Sequence, residues 1–462
     1  MGSIFRWIHA LGPTGLVLKA IAGSLFSTGL LLAFILLRRA YRQRYFRRRD
    51  ALVFELRKCW QGILSGVVPP ETWRFDSMKR EVVETIFLDS LDVAAQPEAS
   101  RLRECLVTSG LLDHRIFEAR RLRGWRRRRA LVSLGRMRAP EAIPALAEAL
   151  ADPHPETRLA AIRGLERTAL PEAAVPILDA VLAGSLQIPA APLQNALFSC
   201  CQTRPTLLLP YLRHASEEVR PILARVLAEL ATPELGDDLL LLAADPVAEV
   251  RASAARALGE ARPQLALPVL SQLAGDSEWF VRLRAVASLG ALQDPQAIPV
   301  LIEALCDANR NVRLRAAAAL VRLESHLGEI LERALETHDR YARDALVSEL
   351  ERSGALQPLL HALTEPGHRR RAGAVLLRAL RAGTQRLLLD ALASHSNWRV
   401  RLAVARLLAE SGDERLIPGL QALENNLSSA REQRVVRWVL RRLRGGARGV
   451  VSVAGEPEVV NR

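Results

Sequence analysis

Side chains able to do acid–base, nucleophilic or metal chemistry are thinly scattered along this 462-residue chain. Its nine histidines are His9, His114, His154, His214, His326, His338, His361, His368 and His395. No two are spaced His-x-x-x-His, so no helix face offers paired imidazoles to a metal, and the His-Glu-x-x-His signature of zinc hydrolases is absent. No glycine-rich loop is present to cradle a phosphate. The five cysteines (Cys59, Cys105, Cys200, Cys201, Cys306) contain no Cys-x-x-Cys pair. That argues against a zinc ribbon or disulfide framework and for a reducing compartment. The expectation is a protein with no catalytic residues, no metal and no cofactor.

What does recur is a pairing of carboxylate with guanidinium. Asp152, Asp245, Asp276 and Asp307 each stand six residues before an arginine, namely Arg158, Arg251, Arg282 and Arg313. A loop aspartate can cap the next helix by accepting its free N–H groups, and an arginine one turn inside can reach its own aspartate or the adjoining loop. Because the pair recurs with the period of the chain, it reads as a structural ladder rather than a ligand site. Arg225, Arg256, Arg284, Arg315 and Arg406 fall on outward positions of the same helices. They are candidates for contact with an acidic partner, the competing reading being pairing with Glu229, Glu260 and Glu278. Trp279 and Trp398, at repeat boundaries, either fill packing gaps or serve as binding hot spots.

An internal repeat positions these residues. VRPILARVLAEL at Val219, VRASAARALGEA at Val250, VRLRAVASLGAL at Val281 and VRLRAAAALVRL at Val312 each start 31 residues after the last, and VRLAVARLLAES follows at Val400. Between them lie proline-bearing segments: AIPALAEAL at Ala142, AVPILDAVL at Ala174, ALPVLSQL at Ala266, AIPVLIEAL at Ala297 and LIPGLQAL at Leu416. Proline suits the first turn of a helix, where its missing N–H has no intrahelical partner. Apolar residues then recur at three- and four-residue spacing, one buried stripe per helix. Aromatic residues make up only 5% of the chain, which favours close-packed helices over a sandwich or barrel.

These helix–turn–helix units resemble HEAT repeats, particularly the short bacterial form associated with phycobilisome lyases. The resemblance runs over residues 125–443, roughly ten hairpins. It implies an all-α fold, an α-solenoid of the ARM/HEAT type, that binds a partner protein. GWRRRRALVSLGRM at its start and REQRVVRWVLRRLR at its end read as caps. Two other functions travel with the resemblance. One is an enzyme or enzyme subunit of the bilin-lyase or deoxyhypusine-hydroxylase class. The hydroxylases take iron ligands from repeated His-Glu dipeptides, of which none occurs here, His338-Asp339 being the nearest approach. The other is nucleic-acid binding, which needs a basic track with aromatic platforms.

The charge distribution weighs against a basic track. Of the formal net charge of +14, residues 1–50 carry +8, residues 51–130 carry +4 and the remainder only +2. The N-terminal excess follows an apolar run. Ala20 to Leu37 holds 18 residues without a charge, about 27 Å of helix, against roughly 30 Å of bilayer hydrocarbon. It ends in Arg38, Arg39, Arg42, Arg44, Arg47, Arg48 and Arg49, interleaved with Tyr41, Tyr45 and Phe46. Those arginines are candidate lipid-facing residues, and their excess places the downstream chain in the cytoplasm. A second cluster puts seven arginines between Arg120 and Arg129, beside lipid, nucleic acid or solvent. Only Lys19, Lys58 and Lys79 interrupt the arginine bias, which reads as GC-rich bacterial coding.

The organisation expected is thus an extracytoplasmic stretch (1–19), a transmembrane helix (20–37), and a basic flank with a helical collar (38–124). The repeat array (125–443) and a flexible tail (444–462) follow. The protein is expected to be a single-pass bacterial inner-membrane scaffold, its array cytoplasmic and its partner a membrane-associated protein, with no small-molecule substrate.

Overall fold

The computed structural model describes residues 12–65, 77–184, 188–261 and 265–445. The Pro69–Pro70 break, most of the expected tail and residues 1–11 of the expected extracytoplasmic stretch lie outside the described residues. Every described regular element is a helix, and the chain divides into two compact units, Met1–Thr203 and Arg204–Arg462.

The first unit opens with one helix of 53 residues, Gly12–Leu64. The expected transmembrane segment ends at Leu37, but the helix continues through the arginines. Nothing there breaks a helix: no glycine or proline lies between Gly29 and Gly62, and leucine and arginine are good helix formers. All residues from 20 to 44 are exposed. Among the described residues this is the one helix long and apolar enough to cross a membrane. Its far end is buried: Ile63 is inaccessible, and the Trp60 ring meets the buried Phe87 edge-on at 5.3 Å. Phe87 belongs to the Ser77–Leu91 helix, which acts as a hub. From Leu111–Arg121, Arg115 donates to Glu84 at 2.8 and 3.0 Å, and from Gly124–Met137, Arg136 reaches Asp89 and Asp92, each at 2.7 Å.

Hairpins follow in the same unit, Ile143–Glu148 with Pro155–Thr168 and then Pro171–Leu182 with Ala190–Cys201. The Gly124–Met137 and Pro155–Thr168 helices cross backbone to backbone. A Cβ on Gly135 would sit 2.5 Å from the Gly164 Cα. Proline occupies the first turn at Ile143–Glu148, Ile298–Leu305 and Ile417–Asn426. The exception is Pro176, inside a helix that begins earlier, at Pro171.

In the second unit the marker valines Val250, Val281, Val312 and Val400 are all fully buried. The second helices of successive hairpins, Arg220–Glu229, Ala248–Ala261, Trp279–Leu292, Arg310–Val321 and Arg340–Ser353, each pack on the next. Small residues again set the crossing, a Cβ on Gly290 falling 2.6 Å from the Ala319 Cβ. The regularity lapses after Ser353. The next first helix, Gln357–Ala362, has only 6 residues, and Arg369–Ala382 instead packs against Leu327–Glu336, tied by Arg378–Glu332 at 3.1 Å. Regular packing resumes from Gln385–Ser394 through Trp398–Ser411 and Ile417–Asn426 to the amphipathic closing helix Ala430–Gly445.

Candidate functional site

Arg251 and Arg282 each make two sets of contacts. The same Arg282 terminal nitrogen donates to the carbonyls of Asp276 (2.8 Å) and Ser277 (3.0 Å) in its own loop. Its other two nitrogens grip the Asp307 carboxylate of the next loop at 2.6 and 3.0 Å. Arg251 repeats the pattern on Asp245 and Pro246 (both 3.0 Å), then on Asp276 at 2.7 and 2.9 Å. Arg158 and Arg313 hold their own loops in the same way, through Asp152 and Asp307 respectively. Asp152 is gripped by Arg127, and Asp245 by Arg220 at 3.1 Å.

The aspartate does not cap the helix directly. Its carboxylate accepts the N–H two residues on, from His154, Val247, Glu278 or Asn309 at 2.7–2.9 Å. His154 and Asn309 then cap their own helices through the side chain. These contacts shape the titration. Hydrogen bonding from Arg251 is the main cause holding the Asp276 carboxyl below its ordinary range. At Asp307 burial pushes upward most strongly, but Arg282 and the Asn309 N–H together outweigh it, so that carboxyl is lowered too.

Where the aspartate is missing, a substitute takes part of its work. Thr337 accepts the Asp339 N–H at 3.4 Å but has no charge to offer Arg313, whose guanidinium lies 5.4 Å from the centre of the Tyr341 ring. His395 accepts the Asn397 N–H on Nδ1 at 3.1 Å, while its carbonyl accepts from Arg401 at 2.6 Å. Arg401 continues onward to Glu432 of the closing helix at 2.5 Å.

The outward arginines form no single track. Arg225, Arg256 and Arg406 follow their marker valine by six residues, Arg284 and Arg315 by three, so they occupy two different lines on the helix surfaces. Arg225, Arg284 and Arg315 are exposed, Arg256 lies 3.7 Å from Glu229, and Arg406 is half-buried. Trp279 is 42% exposed, whereas Trp398 is half-buried between Arg401 and Arg431, at 5.9 and 4.3 Å from its ring, with its indole nitrogen out of solvent. Trp398 therefore fastens the closing helix. The first turns of three successive second helices present Trp279, Arg310 and Tyr341, all exposed. Tyr341 stands 31 residues after Arg310, but because the caps Asn309 and Asp339 are only 30 residues apart it is the second residue of its helix, where Trp279 and Arg310 are each the first.

Four of the seven clustered arginines are engaged within the protein. Arg120 pairs with Glu148 (2.7 Å), Arg128 with Glu156 (3.1 Å), Arg129 with Glu81 (2.7 Å), and Arg127 with Asp152. Arg121, Arg123 and Arg126 stay exposed. On the long helix, Arg38, Arg39, Arg42, Arg44, Arg47 and Arg48 are exposed and Arg49 is half-buried.

Among the described residues, no group of three or more His, Cys, Asp or Glu side chains is placed to hold a metal ion. The five cysteines are free thiols, and burial pushes Cys200 up to about 12 and Cys201 to about 11, far from thiolate reactivity at neutral pH. A cleft of about 460 Å³ opens where Gln357–Ala362 falls short, floored by Leu327, Leu359 and Val375. Its acid–base pair, Glu365 with His368 at 2.9 Å, lies in solvent.

A profile of HEAT repeats matches residues 124–189, 205–290 and 270–351, and its last match ends just before the irregular hairpin. No curated protein matches the chain. Among solved structures the chain is similar to an engineered protein, at 19% identity over 86% of this chain and 98% of that one, with a TM-score of 0.29. It is also similar to a chain from a structure in which Kap95p binding switches the loops of RanGDP, at 13% identity over 80% of this chain and 56% of that one, with a TM-score of 0.38. Matches to that profile thus fall in both of its compact units.

Proposed function

We propose that this protein is a membrane-anchored scaffold. Residues 20–37 cross a bacterial inner membrane once, with residues 1–19 outside, and residues 38–124 join the span to the array. The array over residues 125–443 forms a cytoplasmic solenoid that binds a membrane-associated protein. The long exposed apolar helix and the arginines behind it support the anchoring and its orientation. Anchoring raises the effective concentration of the array toward anything held at the same bilayer.

The observation that carries the binding reading is the exposed set Trp279, Arg310 and Tyr341 along one edge of the second unit. Ladder charges are consumed internally, whereas these aromatic and arginine side chains face solvent, and Trp, Tyr and Arg dominate interface hot spots. Arg225, Arg284 and Arg315 add positive charge suited to an acidic partner. Nucleic-acid binding is less favoured, since the densest arginine cluster is largely spent on internal acids. An enzyme reading has only the open cleft to rest on, and its His–Glu pair sits in solvent rather than in a closed site.

A photo-crosslinking residue replacing Trp279 or Tyr341 in the full chain tests this. It should give a discrete crosslinked protein band in native membranes, and the same probe at Arg399, on the closing part of the unit, should give none. Identical patterns at all three positions would contradict the reading.

A further inference from the structure

The three arginines of the 120–129 cluster that the protein does not use internally stand at a particular height on the first unit. The Gly12–Leu64 helix touches the Ser77–Leu91 helix at two levels, Tyr45 near Glu81 (3.5 Å) and Trp60 against Phe87. The Gly124–Met137 helix touches that same helix at Arg129 with Glu81 (2.7 Å) and at Arg136 with Asp89 and Asp92 (2.7 Å). In both, rising residue number runs from the Glu81 level toward the far end, so the two helices point the same way past a common neighbour. Tyr45 lies eight residues beyond Leu37, about 12 Å along the axis. Trp125 lies four residues before Arg129, about 6 Å back toward the apolar segment. Trp125 therefore lies on the same side of the Glu81 level as the end of the apolar run.

Around that level the exposed side chains are of one kind. Arg121 closes its helix, Arg123 is in the connection, and Arg126 lies over the Trp125 ring at 5.7 Å. Trp125 is 60% exposed. Tryptophan among arginines is the composition of a membrane interface, with the ring at the headgroup level and the guanidinium groups on phosphates. Acids on neighbouring elements do not neutralise these three: Glu81, Glu148, Asp152 and Glu156 are held by Arg129, Arg120, Arg127 and Arg128.

We propose that Arg121, Arg123, Trp125 and Arg126 form a second lipid contact, seating the start of the repeat array on the anionic headgroups of the bilayer that the N-terminal helix crosses. The proposal rests on the anchoring reading and adds to it: the array is held against the membrane surface rather than tethered loosely below it. Each arginine at an anionic surface contributes about fivefold in affinity, so the contact should depend on lipid charge.

Spin labels on the full chain in nanodiscs test this, with Cys59→Ser and Cys306→Ser removing the exposed native thiols. One label goes on Trp125→Cys, which keeps all three arginines, and a control label on Phe34→Cys. Access by a water-soluble nickel chelate is compared in phosphatidylcholine and in an equal mixture with phosphatidylglycerol. The expected result is a Trp125→Cys label several-fold better shielded in the anionic mixture, with shielding lost on combining Arg121→Glu, Arg123→Glu and Arg126→Glu. The Phe34→Cys label should stay shielded throughout. Equal exposure of the Trp125→Cys label in the two lipids, with the control shielded, overturns the second contact and leaves the anchor standing. Exposure of the control label overturns both.

Discussion

Arg282 carries more structure than its place on a helix surface suggests, because it closes its own loop and holds the carboxylate of the next one. Its side chain and that of Asp307 are only 17% and 8% exposed. Charge-assisted hydrogen bonds of this kind contribute about 1.5–3 kcal/mol. Arg282→Ala should therefore lower urea stability by about 2–3 kcal/mol, while Arg225→Ala, which faces solvent, should change it by less than about 0.5 kcal/mol. Equal effects would show that the ladder does not hold the repeats together. The carboxylates predict a pH dependence with a definite sign. The Asp276 and Asp307 carboxyls have folded pKa values below the ordinary one, so their stabilisation is present above the usual carboxylate range near about 3.9 and is lost as pH falls through the folded values. Stability of the full chain should decline on acidification below that range. The Asp276→Asn variant should show a shallower decline in the same titration.

Among the elements, the crossings of successive second helices depend on residues too small to hold them apart. Gly135→Ala improves intrinsic helix propensity, yet its new Cβ meets the backbone of Gly164 and must force two helices apart. It should destabilise the chain by about 1–3 kcal/mol in chemical unfolding, whereas Gly29→Ala, with open space around it, should not. The elements also show what a sequence reading reaches. The helical hairpins were legible because equal spacing places equal loops, and the Val250, Val281 and Val312 helices follow that spacing. The aspartate–arginine pairs were visible as a pattern, but not which carboxylate each arginine grips, since that partner lies 25 residues on, in the next loop. Partners of the arginine cluster were equally hidden, Arg129 reaching back 48 residues to Glu81. The six-residue Gln357–Ala362 helix left no periodic trace of the cleft it opens.

At the scale of the molecule, one helix joins two features that are separate in the sequence. An apolar segment flanked by arginines is long enough to anchor a protein, and its helix runs without interruption to Trp60 and Ile63, which are packed into the first compact unit. The apolar segment is thus joined to the start of the repeats by one continuous helix, with no flexible linker between. The repeats beyond it present Trp279, Arg310 and Tyr341 to solvent. The central claim is that the array is held in the cytoplasm by its own N-terminal helix. It is tested most directly by fusing a fluorescent protein that matures only in the cytoplasm after Arg462 and fractionating the cells through a carbonate wash. The account predicts fluorescence that stays with the washed membranes and moves to the soluble fraction when Leu31→Arg, Phe34→Arg and Leu37→Arg are combined. Fluorescence released by carbonate from the unaltered chain, or no fluorescence from a protein that is present, would contradict it.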